Sequence, residues 1–206
     1  MRNKGCVDTI RARIEDSPAG AVFSLADFAD AAEPKTVSKT LGRLARAKVV
    51  EKIARGLVWK PLPGAGGPSP DEVARALARA NSWASVPVGE TAKHIVGLES
   101  NEPEVWTYLT EGSNRVYKFD GFVISFKHAS ARFLRGISYR TALLIQVVRA
   151  YGKDMMSSDV MTYLVGYFGR DFRTIVEESR KTTVWIYRAI ADMFRKHRAE
   201  LSDARN

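Results

Sequence analysis

The chain has 206 residues, of which 45% are hydrophobic and 27% are charged, and its formal net charge at pH 7 is +9. This balance predicts a soluble globular protein with room for one large or two small domains. No run of about 18 apolar residues could span a bilayer, and residues 1–16 lack the apolar core of a signal peptide. The single cysteine, Cys6, excludes an internal disulfide and a cysteine-rich zinc site, so the expected compartment is a reducing cytosol.

The first segment of the chain has the pattern of a helix followed by a short strand. Val7, Ile10 and Ile14 recur at helical spacing, which predicts a helix over residues 7–15 with one buried stripe. The apolar run at residues 21–23 then predicts a short strand.

A second helix is predicted to begin directly after this strand. Ser24 has the position of an N-cap, and Asp27, three residues further on, can complete the first turn. We therefore expect a helix over residues 25–31.

The third predicted helix has an apolar side and a basic side. Pro34 suits its first position, where no backbone N–H is needed. An apolar seam recurs at helical spacing through Val37, Leu41 and Leu44. Off that seam lie residues that are cationic, small or polar: Lys35, Ser38, Lys39, Gly42, Arg43 and Arg46. A helix that enters the DNA major groove needs such a face, with short side chains for close approach and long cations for phosphates or guanine edges.

A β-hairpin is predicted after the basic helix. Residues 49–53 and 57–60 are rich in strand-forming residues, and residues 54–56 can turn the chain because Gly56 is free to adopt a positive φ. Helix, strand, helix, helix and hairpin is the order of a winged helix-turn-helix, in which the hairpin is the wing.

Positive charge is concentrated in this helix and hairpin. Residues 34–61 hold eight Lys or Arg and one acid, Glu51, which gives a local net charge of +7. Such a concentration predicts a polyanionic partner, here double-stranded DNA. The predicted contacts are Lys35, Ser38, Lys39, Arg43, Arg46, Lys52 and Arg55. Arg55 at the wing tip could insert in a minor groove or bind phosphate, and the sequence favours neither.

A linker rich in proline and glycine separates two predicted domains. Residues 61–70 contain four prolines and three glycines, too many for the interior of a helix or strand. We therefore place the winged-helix domain at residues 1–62, the linker at 63–70 and a second domain at 71–206.

The second domain is predicted to mix helices and strands. Helical spacing predicts helices over residues 71–80 and 90–96, and alternating aromatic and β-branched residues predict three strands between residues 105 and 126. Asp120 and Gly121 form a strong hairpin signal, so we expect a small antiparallel meander. Helical patterns return after Tyr139. The expected fold class is α+β, a winged helix-turn-helix followed by a mixed domain with a small antiparallel sheet and a helical C-terminal part.

Both domains carry motifs of one known family. The N-terminal motifs are G-x-V-F-x-x-x-D-F, V-x-x-x-L-x-R-L and a basic-x-x-R-G wing, carried by Gly20, Val22, Phe23, Asp27, Phe28, Val37, Leu41, Arg43, Leu44, Lys52, Arg55, Gly56, Leu57, Val58 and Pro61. Further motifs occur at residues 86–92, 96–98 and 126–128 and at Thr110, Gly112 and Arg115. These motifs resemble those of AbiEi-type antitoxins, the transcription-factor-like half of type IV toxin–antitoxin modules. The resemblance implies a winged helix that binds its own promoter and a second domain that takes part in neutralising a nucleotidyltransferase-like toxin.

Other residues with reactive side chains favour structural roles. Three histidines have no second ligand at metal spacing: His94, His128 and His197. Four glutamates lack a phosphate loop, a nucleophile motif or a histidine base in register: Glu90, Glu99, Glu102 and Glu104. We therefore predict no enzyme activity, no metal and no cofactor.

The main alternative function is a protein-interaction module whose winged helix binds no DNA and whose C-terminal helices hold a partner. An enzyme that acts on nucleotides would need a motif that the sequence lacks. The sequence predicts neither the operator, nor the oligomeric state, nor whether an antitoxin of this kind contacts its toxin directly.

Overall fold

The computed structural model describes residues 2–130, 134–153 and 155–203 of the chain. The chain forms two compact units. The first comprises Met1–Trp83 and Phe119–Phe122, and the second comprises Ala84–Lys118 and Val123–Asn206. Helices and small sheets occur together along the chain, which confirms the α+β class expected from the sequence.

The first unit has the element order of a winged helix-turn-helix. Its elements are α1 (Arg2–Asp16), β1 (Val22–Ser24), a 3-10 helix (Leu25–Phe28), α2 (Pro34–Arg46), β2 (Glu51–Ala54), β3 (Leu57–Trp59) and α3 (Pro70–Ala80). The strands form an antiparallel sheet in the order β1-β3-β2, so β3 is central and β2 is an edge strand. The predicted winged helix is therefore confirmed, with β2 and β3 as its wing.

The core of this unit is built from apolar residues of α1, α2 and β3. Ile14 and Val58 belong to the same buried cluster as the apolar seam of α2. Val37, Leu41 and Leu44 are 0%, 3% and 6% exposed, which confirms the seam predicted from their spacing. Because burial of each such side chain contributes on the order of 1.5–3 kcal/mol, the seam determines which side of α2 faces outward.

The second helix is shorter than the sequence predicts. It is a single 3-10 turn that ends three residues before the expected Ala31. The Asp27 carboxylate accepts hydrogen bonds from the backbone N–H and the Oγ of Ser24 at 2.6 and 3.0 Å, so the predicted pairing of these two residues is present. Glu33 has an extended ψ of 145°, because proline at position 34 disfavours the helical conformation in the residue before it.

The boundary between the units lies later than the linker predicts. α3 begins at Pro70, the last residue of the predicted linker, and packs against β1 and the 3-10 helix of the first unit. Arg79 of α3 makes the connection, because its Nε donates to Asp27 Oδ1 at 2.8 Å and its Nη2 donates to the carbonyl of Val22 at 2.9 Å. α3 therefore belongs to the first unit, which continues to Trp83, and not to the second.

The remaining strands form a mixed four-stranded sheet. They are β4 (Ser85–Pro87), β5 (Trp106–Thr110), β6 (Arg115–Phe119) and β7 (Phe122–His128), and α4 (Glu90–Ile95) lies between β4 and β5 in the chain. The strand order is β4-β5-β7-β6. β5 pairs with β7 in parallel, so the predicted antiparallel meander is wrong at this pairing. The reason is that alternation along one strand identifies its buried side but not the strand beside it. β6 does lie beside β7, as the Asp120–Gly121 turn predicts.

Helices make up the rest of the second unit. They are α5 (Tyr139–Tyr151), α6 (Ser158–Phe168), α7 (Phe172–Ser179) and α8 (Val184–Asp203), with a 3-10 turn (Gly169–Asp171) before α7. Every residue from 141 to 148 of α5 is buried, so this helix is the centre of the helical core. The helical patterns predicted after Tyr139 are therefore confirmed. Within the described ranges, no helix is both long enough and apolar enough to cross a bilayer.

Candidate nucleic-acid interface

α2 and the wing present a continuous polar surface. The side chains of all seven predicted contacts are exposed: Lys35, Ser38, Lys39, Arg43, Arg46, Lys52 and Arg55. We call these seven residues the basic face. Five of them lie on α2, on the side away from the buried seam, because residues three and four apart in a helix share one side. A duplex could reach them without any rearrangement of the unit.

The wing places two cations beside α2. β2 and β3 are joined by a turn in which Gly56 has a φ of 79°, a value that other residues rarely adopt. The residues of β3 are buried, whereas Lys52 of β2 and Arg55 in the turn are exposed. The ladder between the two strands has a register shift between Lys52 and Ala54. The wing is therefore held in place by β3, and its two cations are exposed to solvent.

A groove of about 480 Å³ runs between α2 and the wing. α2 lines it with Ser38 and Gly42, and the wing lines it with Lys52 and Arg55. Leu25, from the 3-10 helix, also lines it. The groove thus brings together three of the seven predicted contacts, and the four other members of the basic face lie on α2 outside its lining. One unit therefore offers two points of contact, a helix and a hairpin tip.

The cations of the basic face are not neutralised by the protein itself. Within the part of the chain that the structure describes, no carboxylate lies at ion-pair distance from Lys35, Lys39, Arg43, Lys52 or Arg55. Arg46 donates from Nε to the carbonyl of Gly42 at 3.2 Å, a bond that leaves the guanidinium charge uncompensated. Exposed cations of this kind are available to bind phosphate oxygens.

Two charged residues of the segment 34–61, Lys60 and Glu51, have partners within the fold. Lys60 donates from Nζ to the backbone carbonyls of Glu15 and Ser17, at 2.6 Å each, where α1 ends. A cation at this position offsets the partial negative charge of a helix C-terminus. Glu51 accepts a hydrogen bond from Nε1 of Trp59 at 3.3 Å across the hairpin. Lys60 therefore stabilises the fold, and the local charge counted from the sequence includes two cations, Lys48 and Lys60, that do not belong to the basic face.

Gly42 lines the groove but is not among the seven predicted contacts. It lies in the middle of α2 between the cations of the basic face. The sequence does contain a signal for it, because glycine is the least favourable residue after proline in a helix interior.

Other candidate residues from the sequence lie beside backbone groups. His94 Nδ1 is 3.0 Å from the carbonyl oxygen of Glu99, and His128 Nδ1 is 2.8 Å from that of Gly112. The side chain of His197 lies outside the described residues. Among the residues that are described, no group of three or more His, Cys, Asp or Glu is placed to hold a metal ion.

Comparisons with known proteins identify one family. No curated protein and no solved structure matches the chain. A family of unknown function, DUF6088, matches residues 9–165, about three quarters of the chain. The match begins within α1, includes both small sheets and ends within α6. The chain therefore belongs to the DUF6088 family.

Proposed function

We propose that this protein is an AbiEi-type antitoxin of a type IV toxin–antitoxin system that binds the DNA upstream of its own gene and represses transcription. The observation that carries the proposal is the basic face, in which six cations without a carboxylate partner among the described residues lie on a helix and a hairpin of one unit. In this proposal the protein works in the cytoplasm, uses no cofactor and is not an enzyme.

The proposed binding mode follows from the shape of the first unit. The major groove of B-DNA is wide enough to admit an α-helix. Since its apolar seam is buried, α2 can enter only by the side that carries Lys39 and Arg43. Arg43 would contact a guanine edge, because a guanidinium can donate two parallel hydrogen bonds to guanine O6 and N7. Lys52 and Arg55 of the wing would bind the neighbouring phosphates or minor groove.

A salt titration on DNA tests the first half of the proposal. In a mobility-shift assay with a duplex from upstream of the gene, the logarithm of the binding constant should fall with the logarithm of salt concentration at a slope of about −4 or steeper. With Arg43 on a guanine edge, the other five cations of the basic face would each replace a counterion, which predicts this slope. An unrelated duplex of equal length is the control and should bind more weakly. No binding, or binding that is unchanged between about 50 and 200 mM salt, would contradict the proposal.

The second unit supports the antitoxin half of the proposal. It has an open cleft of about 680 Å³ whose lining includes Met156, Met161, Trp185, Arg188 and Lys196. A half-buried tryptophan among methionine and arginine has the composition typical of protein contact surfaces. The proposed occupant is a nucleotidyltransferase-like toxin. The same cleft also favours the alternative function, a protein-interaction module that binds no DNA.

Co-purification with the product of the neighbouring gene separates these two functions. The full chain should retain a nucleotidyltransferase-like partner, and Trp185→Ala should lose it while DNA affinity stays unchanged. Met155→Ala is a control at an exposed residue outside the lining of the cleft. A chain that retains the partner but binds no DNA would favour the interaction module.

A further inference from the structure

Gly42 occupies a position where helix stability alone would favour another residue. It lies in the interior of α2, which runs without interruption from Pro34 to Arg46. Glycine gains the most backbone freedom on unfolding and is disfavoured in a helix interior. A reason for this residue must therefore come from its surroundings.

The protein's own structure does not supply that reason. Gly42 is not among the glycines with a positive φ, so alanine could adopt its backbone conformation. A Cβ atom built at Gly42 meets no heavy atom within 4 Å among the described residues, apart from its chain neighbours and the backbone of its own helix. Neither backbone geometry nor packing against the rest of the unit therefore requires glycine.

The open space at Gly42 lies on the side of α2 where DNA is proposed to bind. Gly42 lines the groove together with Ser38, Lys52 and Arg55. Lys39 and Arg43, its neighbours on the helix, are exposed. The smallest residue of the polar side thus lies among long cationic side chains.

We propose that Gly42 is the point at which α2 approaches the DNA most closely, and that its missing side chain determines how deeply the helix enters the major groove. This inference rests on the proposed function. Hydrogen bonds to base edges hold only within about 2.7–3.2 Å between donor and acceptor. A methyl group at position 42 would hold the helix out of the groove and move Arg43 beyond that range. Gly42 is therefore a positioning residue that acts through its neighbours.

Paired substitutions at two helix glycines test this inference in the full chain. Gly166 is a matched control, because it also lies within a helix, α6, and a Cβ there also meets no heavy atom within 4 Å among the described residues. Gly42→Ala and Gly166→Ala should each raise Tm by roughly 1–4 °C, since alanine restricts the unfolded chain and favours the helix. Only Gly42→Ala should weaken binding to the upstream duplex, by at least about fivefold, the smallest loss expected when one base contact is broken.

A larger side chain at position 42 should weaken DNA binding further. Gly42→Gln should weaken binding more than Gly42→Ala, whereas Gly166→Gln should leave binding unchanged. Equal affinity of wild type and both Gly42 variants would overturn the inference while leaving DNA binding intact. An equal loss in the Gly166 variants would also overturn it. If the wild-type chain binds no duplex, the proposed function itself fails, so the two failures are distinguishable.

Discussion

Two surfaces of the first unit use their cations in opposite ways. On α1 and α3, arginines pair with nearby carboxylates: Arg11 with Glu15, Arg13 with Asp30, Arg75 with Asp71 and Arg79 with Asp27. We call these eight residues the paired surface. On the basic face, none of the six cations has a carboxylate partner among the described residues. The acids of these four ion pairs all lie outside α2 and the wing. This segregation, more than the net charge, distinguishes the basic face from an ordinary solvated helix surface.

The largest expected effect comes from removing one cation from each part of the basic face. The double variant Arg43→Ala with Arg55→Ala should weaken binding to the upstream duplex on the order of 100-fold, because a base contact and a wing contact are both lost. Fluorescence anisotropy with a labelled duplex measures this loss. Arg11→Ala, which removes one cation from the paired surface, is the control and should bind like wild type. Equal losses in both variants would mean that general positive charge, not the basic face, attracts DNA.

The paired surface should show its effect in folding stability. Arg79→Ala removes the hydrogen bonds to Asp27 and Val22 that attach α3, so the free energy of unfolding should fall by about 1–3 kcal/mol. Urea denaturation measures the change. Arg11→Ala should cost less stability than Arg79→Ala, because its pair with Glu15 is exposed and lies within one helix. If Arg79→Ala leaves the free energy of unfolding unchanged, Arg79 does not stabilise the attachment of α3.

A smaller effect separates phosphate contacts from base contacts. Lys52→Ala should weaken binding to upstream and unrelated duplexes alike, by a few-fold, and should make the salt slope about one unit shallower. Mobility-shift titrations of both duplexes over a range of salt concentrations measure these quantities. A loss confined to the upstream duplex would instead assign Lys52 to base recognition.

The smallest effect concerns acid sensitivity on the paired surface. The hydrogen bond from Arg13 lowers the pKa of Asp30 from 3.8 to about 2. Because the pKa is lower in the folded than in the unfolded chain, the pair stabilises the fold above pH 3.8, and this contribution is lost as the pH falls toward 2. Asp30→Asn should therefore have a slightly lower Tm than wild type near neutral pH. The difference should narrow over this acidic range, and a constant difference would assign the effect to something other than ionisation.

The elements of the winged helix could be predicted because local patterns determine them. The spacing of Val37, Leu41 and Leu44 identified the buried side of α2, and therefore also its exposed side. Gly56 identified the wing turn. The five predicted contacts on α2 are exposed for the same reason, while the role of all seven in DNA binding stays a prediction.

The features that sequence analysis missed depend on contacts between distant residues. Arg79 attaches α3 to Asp27, 52 positions earlier, and no local pattern indicates that contact. β5 pairs with β7 rather than β6, because alternation does not identify the neighbouring strand. Lys60 resembles the other cations of its stretch in sequence, yet it binds two carbonyls at the end of α1.

The position of β2 has a further consequence for how the wing moves. β2 pairs within the sheet with β3 alone, and the register shift near Lys52 interrupts that ladder. Its amide protons should therefore exchange with solvent faster than those of β3, which pairs on both sides. β2, which is held along one edge, can shift against β3 while the buried seam keeps α2 in place. One chain could then accommodate duplexes whose minor grooves differ in width, which would make its choice of sites sensitive to DNA shape as well as to base sequence.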